Sequence, residues 1–445
     1  MESGCRKIQR AREWRASDQE WRSVSDAKIR GLFGHALIYR FSGKKLFQNC
    51  ILLTRAAPWR NPLAVSDILV TCPKACAVYL RQELESLGYP VVREATAGVF
   101  TSGSAADCMR LNLQLRTGLR VLWKIADFKA ADGQQLYNRA VEIPWESYIP
   151  ADGYVSIGSS VRNDTIRNTK FAGLRLKDAL VDRIREKKGT RPDTGNDSDK
   201  AKLFLYWRDE EVNIYLDTSG VPLSNRGYRV SPGKAPMREN LAASVLKATR
   251  WRPGIPLVNP MCGSGTLAIE AALWALGRPA GRFRDNFGFM HLEGYQSEEF
   301  EAIKKELDVD SDAVDSATII ATDRDPEAIE AARRNAELAG VANLIRFGVC
   351  DFRETEMPEP QGVVILNPEY GDRMGEERKL LPVYQAIGDF FKKQCPGYWG
   401  YVFTGNRSLG KRIGLKASRK VEFYNGPIEC RLFEFELYDG SRNLR

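Results

Sequence analysis

The chain has 445 residues, of which 43% are hydrophobic and 28% are charged. A chain of this length usually folds into two or three domains, and this composition argues against general disorder. No stretch reaches the roughly eighteen apolar residues of a membrane span, and the first residues lack the apolar segment of a signal peptide. We therefore expect a cytoplasmic protein with no membrane partner.

The net charge of +9 is concentrated near the N-terminus, where residues 1–65 carry 13 Lys and Arg against 5 Asp and Glu. Three tryptophans lie among these basic residues without a helical or strand period. We expect residues 1–65 to be a poorly ordered basic extension, although a nucleic-acid-binding arm is the alternative. The remainder is nearly neutral, so any further nucleic-acid surface must be a local patch.

Nine cysteines and two histidines are scattered along the chain, and Cys72 and Cys76 form the only close pair. This spacing fits neither a disulfide framework nor a zinc site. Reduced thiols and no bound metal are the expectation.

Regular patterning begins with a strand at Asp67–Cys72 and a helix at Ala77–Leu87, followed by short strands at Tyr89–Arg93 and Gly98–Thr101. This order predicts a small ferredoxin-like module at 66–106. A second mixed α/β domain is predicted at 107–218, followed by a linker at 219–235.

Residues 162–191 hold ten Lys and Arg against four acidic residues. Leu176, Leu180 and Ile184 recur at helical spacing, so one face of a helix at about 174–188 should pack while the charges point elsewhere. Such a local basic patch is typical of RNA-binding surfaces. The candidate RNA-binding residues are Arg162, Arg167, Lys170, Arg175, Lys177, Arg183, Lys187 and Lys188.

From residue 236 to 445 helices alternate with apolar strands, which predicts a doubly wound, Rossmann-like parallel sheet. Asn425-Gly426 lies between two strand patterns and predicts an antiparallel hairpin at the sheet edge. The overall fold class is therefore α/β.

A glycine-containing turn, Asn259–Thr266, follows one of these strands and opens a helix. Glycines there let the backbone approach a nucleotide-like ligand at the helix N-terminus, although an isolated match is often only a tight turn. We expect Cys262 to be a small buried residue and not a nucleophile. The candidate cofactor-binding residues of the turn are Asn259, Met261, Cys262, Gly263, Ser264, Gly265 and Thr266.

Two acidic residues at later strand ends strengthen the cofactor prediction. Asp323 could accept hydrogen bonds from ribose hydroxyls. Asp351 could accept one from an adenine amino group, beside a Phe352 ring that could stack on the base. The succession of these residues on consecutive strand ends favours a cofactor site over isolated surface acids.

Asn367-Pro-Glu-Tyr370 follows the next strand. The Asn367 side-chain oxygen and the Pro368 carbonyl could accept both hydrogens of an exocyclic amine, which directs the nitrogen lone pair towards an electrophile. Tyr370 could stack on an extruded base. A plain turn is the competing interpretation, and the neighbouring cofactor pattern favours catalysis.

The chain from residue 67 onwards resembles the THUMP-domain class I RNA methyltransferases, especially the bacterial 23S rRNA guanine-N2 enzymes. Besides the turn and the tetrad, the resemblance rests on Ile166–Phe171, Leu176–Arg183, Asp217–Gly220, Arg226–Arg229, Glu239–Ala243, Phe287–His291 and Gly426–Leu432. It implies a THUMP domain at 107–218, a class I methyltransferase domain at 236–445, S-adenosyl-L-methionine as cofactor, and N2 of a guanine in structured RNA as acceptor, with Asn367, Pro368 and Tyr370 as the catalytic residues.

Two positions depart from the family pattern, which usually has Asp at position 259 and a second Pro at position 369. Asn259 keeps an acceptor but lacks the charge that favours an ammonium group, and Glu369 leaves the other tetrad residues in place. Three alternatives stay open: a tRNA guanine-N2 enzyme, a nucleic-acid adenine-N6 methyltransferase, and a non-catalytic RNA-binding protein.

Overall fold

The computed structural model describes residues 59, 61, 64–166, 168–197, 199–230, 237–308, 318–371 and 376–438. Residues 1–58, most of the expected extension, lie outside these ranges. Trp59 falls within the extension predicted to be poorly ordered, yet its side chain is buried and packs edge-on against Trp123, with ring centroids 5.6 Å apart. Folded structure therefore includes at least this residue of the 1–65 segment.

The N-terminal half alternates strands with helices. In chain order the elements are β1 (Ser66–Thr71), α1 (Ala77–Ser86), β2 (Arg93–Ala95), β3 (Gly98–Gly103), α2 (Ala105–Gln114), β4 (Arg120–Lys129), α3 (Gly133–Ala140), β5 (Tyr154–Arg162), α4 (Thr169–Lys188), β6 (Asp193–Gly195), β7 (Ala201–Arg208) and β8 (Glu211–Asp217).

These eight strands form one sheet in the order β2-β3-β1-β4-β8-β7-β5-β6. The ten-residue β4 joins the two predicted modules, because its first residues pair with β1 and residues Leu122–Lys129 pair with β8. The strand predicted at Tyr89–Arg93 is wrong in position, since β2 spans Arg93–Ala95.

Helix α4 lies on this sheet and carries most of the basic region. Its buried residues include Leu176, Leu180 and Ile184, which confirms the predicted packed face. The helix begins five residues before the prediction because Asn168 caps it, accepting a hydrogen bond from the Lys170 backbone nitrogen. It ends at Gly189, whose φ of 75° is the left-handed conformation that glycine adopts readily.

The C-terminal half is the predicted doubly wound domain. Its elements are α5 (Glu239–Ala248), β9 (Leu257–Pro260), α6 (Thr266–Ala275), α7 (Ser297–Leu307), β10 (Ile319–Asp323), α8 (Pro326–Leu338), β11 (Ile345–Val349), β12 (Val363–Leu366), α9 (Glu376–Gln394), β13 (Trp399–Thr404), α10 (Arg407–Gly410), β14 (Arg419–Asn425) and β15 (Ile428–Glu436).

The seven strands have the order β11-β10-β9-β12-β13-β15-β14. The first five strands in this order are parallel, and β15 is antiparallel to both of its neighbours. The predicted hairpin is confirmed, but its two central residues are Gly426 and Pro427, because Asn425 pairs with Ile428. Gly426 has φ of 62°. The chain reverses its direction of travel across the sheet between β9 and β12, and ligands of such sheets bind at this switch point.

Candidate active site

The candidate residues meet at the carboxyl edge of the parallel strands. Asn259 lies near the end of β9, Asp323 ends β10, and Asn367 follows β12. Strand β9 pairs with both β10 and β12, so the glycine turn lies between the predicted ribose acid and the tetrad. The structure thus brings both halves of the predicted site to the switch point.

Asn259 is almost fully buried, and its amide nitrogen donates to the Ile365 carbonyl at 2.9 Å. Its side-chain oxygen is buried without a hydrogen-bond partner in the described structure. Leaving such an acceptor unsatisfied costs free energy. A ligand with a positively charged amine would satisfy it, so this position fits the donor group that the sequence predicts there.

The turn between β9 and α6 has a backbone that few side chains tolerate. Met261, Gly263 and Gly265 have φ of 60°, 55° and 81°. A Cβ on Gly265 would lie 2.9 Å from the Cβ of Ala332 on α8, whereas a Cβ on Gly263 would have no other atom within 4 Å. Close packing therefore requires glycine at 265, and backbone conformation favours it at 263.

The remaining turn residues are held by neighbouring elements. Burial raises the pKa of the Cys262 thiol, as does the nearby Asp323 carboxylate. The thiol therefore stays protonated. The residue as a whole is half-buried, which differs from the full burial predicted for it. The Ser264 carbonyl accepts a hydrogen bond from Asn335. The Thr266 hydroxyl accepts a hydrogen bond from Arg229, at 2.9 Å.

Asp323 receives one hydrogen bond on each carboxylate oxygen: Oδ2 from the Gly263 backbone nitrogen at 2.9 Å and Oδ1 from the Asp325 nitrogen at 3.0 Å. Each oxygen has a further lone pair, so the carboxylate can still accept hydrogen bonds from two hydroxyls. Asp323 consequently supports the turn besides being suited to bind a ribose.

Asp351 is engaged by a neighbouring side chain, and Phe352 differs from the expectation. Both oxygens of Asp351 are engaged by Arg353, with Nε 2.7 Å from Oδ1, and this hydrogen bond lowers the pKa of Asp351. The carboxylate is ionised and keeps spare acceptor capacity. The ring of Phe352 is buried edge-on against Phe390, with centroids 5.7 Å apart, so it offers little surface for stacking on a base.

The tetrad forms a braced turn. The Tyr370 hydroxyl donates to the Asn367 side-chain oxygen at 2.9 Å, which takes up one of the two lone pairs of the acceptor predicted for the amine. Burial raises the pKa of Tyr370, and the phenol remains neutral. Pro368 is buried and Glu369 is exposed, so the unusual glutamate leaves the packing of the turn undisturbed.

The backbone of the tetrad is fixed by residues that the sequence analysis missed. Tyr384 donates to the Glu369 carbonyl at 3.0 Å, and Asn406 donates to the Tyr370 carbonyl at 3.1 Å. A Cβ on Gly405 would lie 2.8 Å from the Tyr370 ring. These contacts come from α9 and the end of β13, elements that carry no site motif in the sequence.

Several cations of the basic region have partners in the described part of the chain. Arg183 makes two hydrogen bonds to Glu146, at 3.0 and 3.2 Å, and both side chains are mostly covered. Arg183 is therefore paired within the protein, which leaves less of its guanidinium available for the predicted RNA contact. Arg175 donates to Gln134 at 3.0 Å, and Lys177 lies 3.4 Å from Asp178.

The other predicted RNA-binding residues are more accessible. Arg162, Lys170, Lys187 and Lys188 are exposed, and Lys187 pairs with the exposed Glu186 at 2.8 Å. Arg167 lies outside the described residues. A polar cavity of about 410 Å³ beside α4 is lined by residues that include Tyr137, Arg175, Lys177 and Arg191.

Two further findings concern metals and membranes. Within the described ranges, no group of three or more His, Cys, Asp and Glu residues is placed to hold a metal ion. None of the helices described in this chain is long and apolar enough to cross a membrane.

Three family models match successive parts of the chain. They are described as the RlmL ferredoxin-like domain, at residues 67–122, the THUMP domain, at 130–217, and the RMKL-like methyltransferase domain, at 226–434. The boundaries differ from the predicted 66–106 and 107–218, because the ferredoxin-like match includes α2 and the start of β4.

Curated relatives match over most of the chain. The Ribosomal RNA large subunit methyltransferase K/L of Syntrophotalea carbinolica is 37% identical over 377 residues, which cover 82% of this chain and 53% of that protein. The "Putative RNA methyltransferase slr0064" of Synechocystis is 33% identical, over 80% of this chain and 93% of its own length. The chain thus spans about half the length of the K/L relatives but nearly all of the shorter one.

Solved structures share the fold. The structure described as "SMU.472, a putative methyltransferase complexed with SAH" superposes with a TM-score of 0.75 at 25% identity. The match covers 85% of this chain and 99% of that chain. Both halves described above are therefore included in the structural similarity.

Proposed function

The chain belongs to the THUMP-domain family of class I RNA methyltransferases, and on that premise we propose that it transfers a methyl group from S-adenosylmethionine to N2 of a guanine in structured RNA. The observation that carries the proposal is the arrangement on adjacent strands. The glycine turn, with the unsatisfied side-chain oxygen of Asn259, lies at the end of β9, and Asn367 follows β12, the strand that pairs with β9. A donor site and an amine-binding site are thereby contiguous.

The residues at or just after the ends of β9, β10 and β11 fit the donor. The Asn259 oxygen would accept a hydrogen bond from the donor ammonium, Asp323 would accept hydrogen bonds from the ribose hydroxyls, and Asp351 would accept one from the adenine amine. When bound, the donor supplies a methyl group activated on a sulfonium. SAH, present in the SMU.472 structure, is the thioether that remains after such a transfer.

The tetrad would bind the acceptor amine. Asn367 and the Pro368 carbonyl accept its two hydrogens, so that the guanine N2 lone pair faces the methyl carbon. As N2 bonds to this carbon, the carbon–sulfur bond breaks, sulfur keeps the electron pair, and N2 later releases one proton to solvent. The amine would share the Asn367 oxygen with the Tyr370 hydroxyl, whose ring lies beside the acceptor.

The N-terminal half would bind the RNA. Exposed cations of α4 and β5, namely Arg162, Lys170, Lys187 and Lys188, would contact phosphates, and Arg175 and Lys177 lie beside the cavity. The names of the K/L relatives favour large-subunit ribosomal RNA as substrate. Such a substrate would place the protein in the cytoplasm, where ribosomes are assembled.

The direct experiment incubates the purified protein with S-adenosylmethionine and unmodified large-subunit rRNA, then digests the RNA for nucleoside mass spectrometry. The expected product is N2-methylguanosine, and tRNA is offered in a parallel reaction. N6-methyladenosine would replace the guanine assignment with the adenine alternative. No product together with no calorimetric binding of the donor would indicate a non-catalytic RNA-binding protein.

A further inference from the structure

Residues 226–230, the linker strap, run between the two halves and contact both. Arg226 and Tyr228 bind Glu270 on α6, with the Tyr228 hydroxyl 3.0 Å from Oε1, and all three side chains are buried. Gly227 has φ of 101°, and a Cβ there would lie 2.3 Å from the Phe283 carbonyl oxygen. The strap therefore has one tightly packed path along the surface of α6.

The strap is also tied to the N-terminal half. Arg226 donates to the Leu115 carbonyl at 3.2 Å and to the Arg116 carbonyl, both directly after α2. It donates to the Leu223 carbonyl as well, at 2.8 Å. A single buried guanidinium thus connects the end of α2 with the helix that begins at the glycine turn.

The other end of the strap supports the glycine turn itself. Arg229 donates to the Thr266 hydroxyl at 2.9 Å and to the Met237 carbonyl at 2.8 Å, and its Nε lies 3.0 Å from the Glu239 carboxylate. Thr266 is the first residue of α6, directly after Gly265. Arg229 consequently fixes the helix N-terminus that closes the turn.

Asn335 of α8 makes a second connection between the strap and the turn. Its side-chain oxygen accepts a hydrogen bond from the Val230 backbone nitrogen at 3.2 Å, and its amide nitrogen donates to the Ser264 carbonyl at 3.2 Å. Asn335 is nearly fully buried. The strap therefore holds the turn at Ser264 and at Thr266, on both sides of Gly265.

We propose that Arg229 is a positioning residue for the methyl donor, acting through Thr266 to keep the glycine turn in its binding conformation. Three turn residues adopt left-handed backbone, which is unfavourable for Met261 in particular, so outside contacts must stabilise this shape. The strap supplies such contacts, with Asn335 as its second anchor. The inference rests on the proposed donor site and adds the residues that keep it preorganised.

The experiment measures donor affinity by calorimetry in four proteins: wild type, Arg229→Met, Thr266→Val and the double variant. Loss of a hydrogen bond from a charged group should weaken S-adenosylmethionine binding about tenfold in Arg229→Met. If Arg229 acts through Thr266, the double variant loses little more than the stronger single variant. Additive losses, or unchanged affinity in both single variants, would overturn the proposal.

Three controls separate positioning from general destabilisation. Arg229→Lys keeps a positive charge and one donor nitrogen, so it should recover part of the affinity, whereas Arg334→Met removes an exposed arginine of α8 and should leave binding unchanged. In steady-state assays KM for the donor should rise while KM for RNA stays constant. If Arg229→Met does not fold, Thr266→Val and Arg229→Lys decide, and wild-type affinity in both refutes the inference.

The outcome also distinguishes this inference from the proposed function. A wild-type protein that does not bind S-adenosylmethionine contradicts the methyltransferase proposal itself. A wild type that binds the donor, with an Arg229→Met protein that binds it equally well, contradicts only the positioning role.

Discussion

The Asp323→Asn substitution tests the proposed ribose contact with little change in shape. The carboxylate accepts hydrogen bonds from Gly263 and Asp325, and we propose that it accepts two more from the ribose. Asparagine retains one acceptor oxygen and presents an amide nitrogen, a donor, in place of the other. Charge-assisted hydrogen bonds contribute about 1.5–3 kcal/mol, so donor affinity should fall by roughly tenfold or more.

Asp325→Asn provides the matched control for this prediction. It removes the same charge two residues away, where Asp325 caps α8 by accepting a hydrogen bond from the Glu327 nitrogen at 2.9 Å. Asparagine caps helices as well as aspartate does, so affinity should be retained. Calorimetric titration of S-adenosylmethionine measures both variants, and equal affinity in Asp323→Asn and wild type would refute the ribose role.

Two further predictions concern RNA and pH. Charge reversal of Lys187 and Lys188, in the last turn of α4, should weaken RNA binding and flatten its salt dependence in filter-binding assays. Charge reversal of Lys392 and Lys393, in the last turn of α9, should leave RNA binding unchanged. Equal effects of the two reversals would exclude a specific RNA-binding patch on α4. Burial lowers the pKa of His291, so the unfolded state binds more protons between this lowered pKa and the ordinary value near 6.5. The free energy of unfolding should therefore fall as pH decreases through that window, and denaturant titrations of a His291→Gln protein should show a smaller decrease; an identical slope would contradict this reasoning.

Strong periodic signals made much of the fold predictable from sequence. Helix α8 and strand β12 lie in the alternating pattern predicted for residues 236–445, because α8 has recurring apolar residues and opens with a proline, and β12 is a short apolar run. No element was predicted at 376–394, where the structure has α9 with Pro382 inside the helix. Proline lacks a backbone donor and rarely occurs in helix interiors, so the local pattern obscured this element.

The position of a site residue could be predicted where it depends only on the neighbouring sequence, and not where it depends on contacts with distant elements. Backbone turns and strand ends are local features, and Asn259, Asp323 and Asn367 accordingly lie at the predicted edge of the sheet. The burial of Phe352 against Phe390 and the pairing of Arg183 with Glu146 depend on distant elements. Sequence alone could not determine these partners.

The central claim is tested most directly at Asn367, the side chain proposed to bind the acceptor amine. Asn367→Ala should reduce methyl transfer by about a hundredfold or more, as loss of a transition-state hydrogen bond does, while donor and RNA affinities change little. Glu369→Pro, which alters only an exposed position of the same turn and restores the family tetrad, should retain or raise activity. Single-turnover formation of N2-methylguanosine measures both variants. A wild-type rate in Asn367→Ala would show that the tetrad is only a turn and would contradict the account.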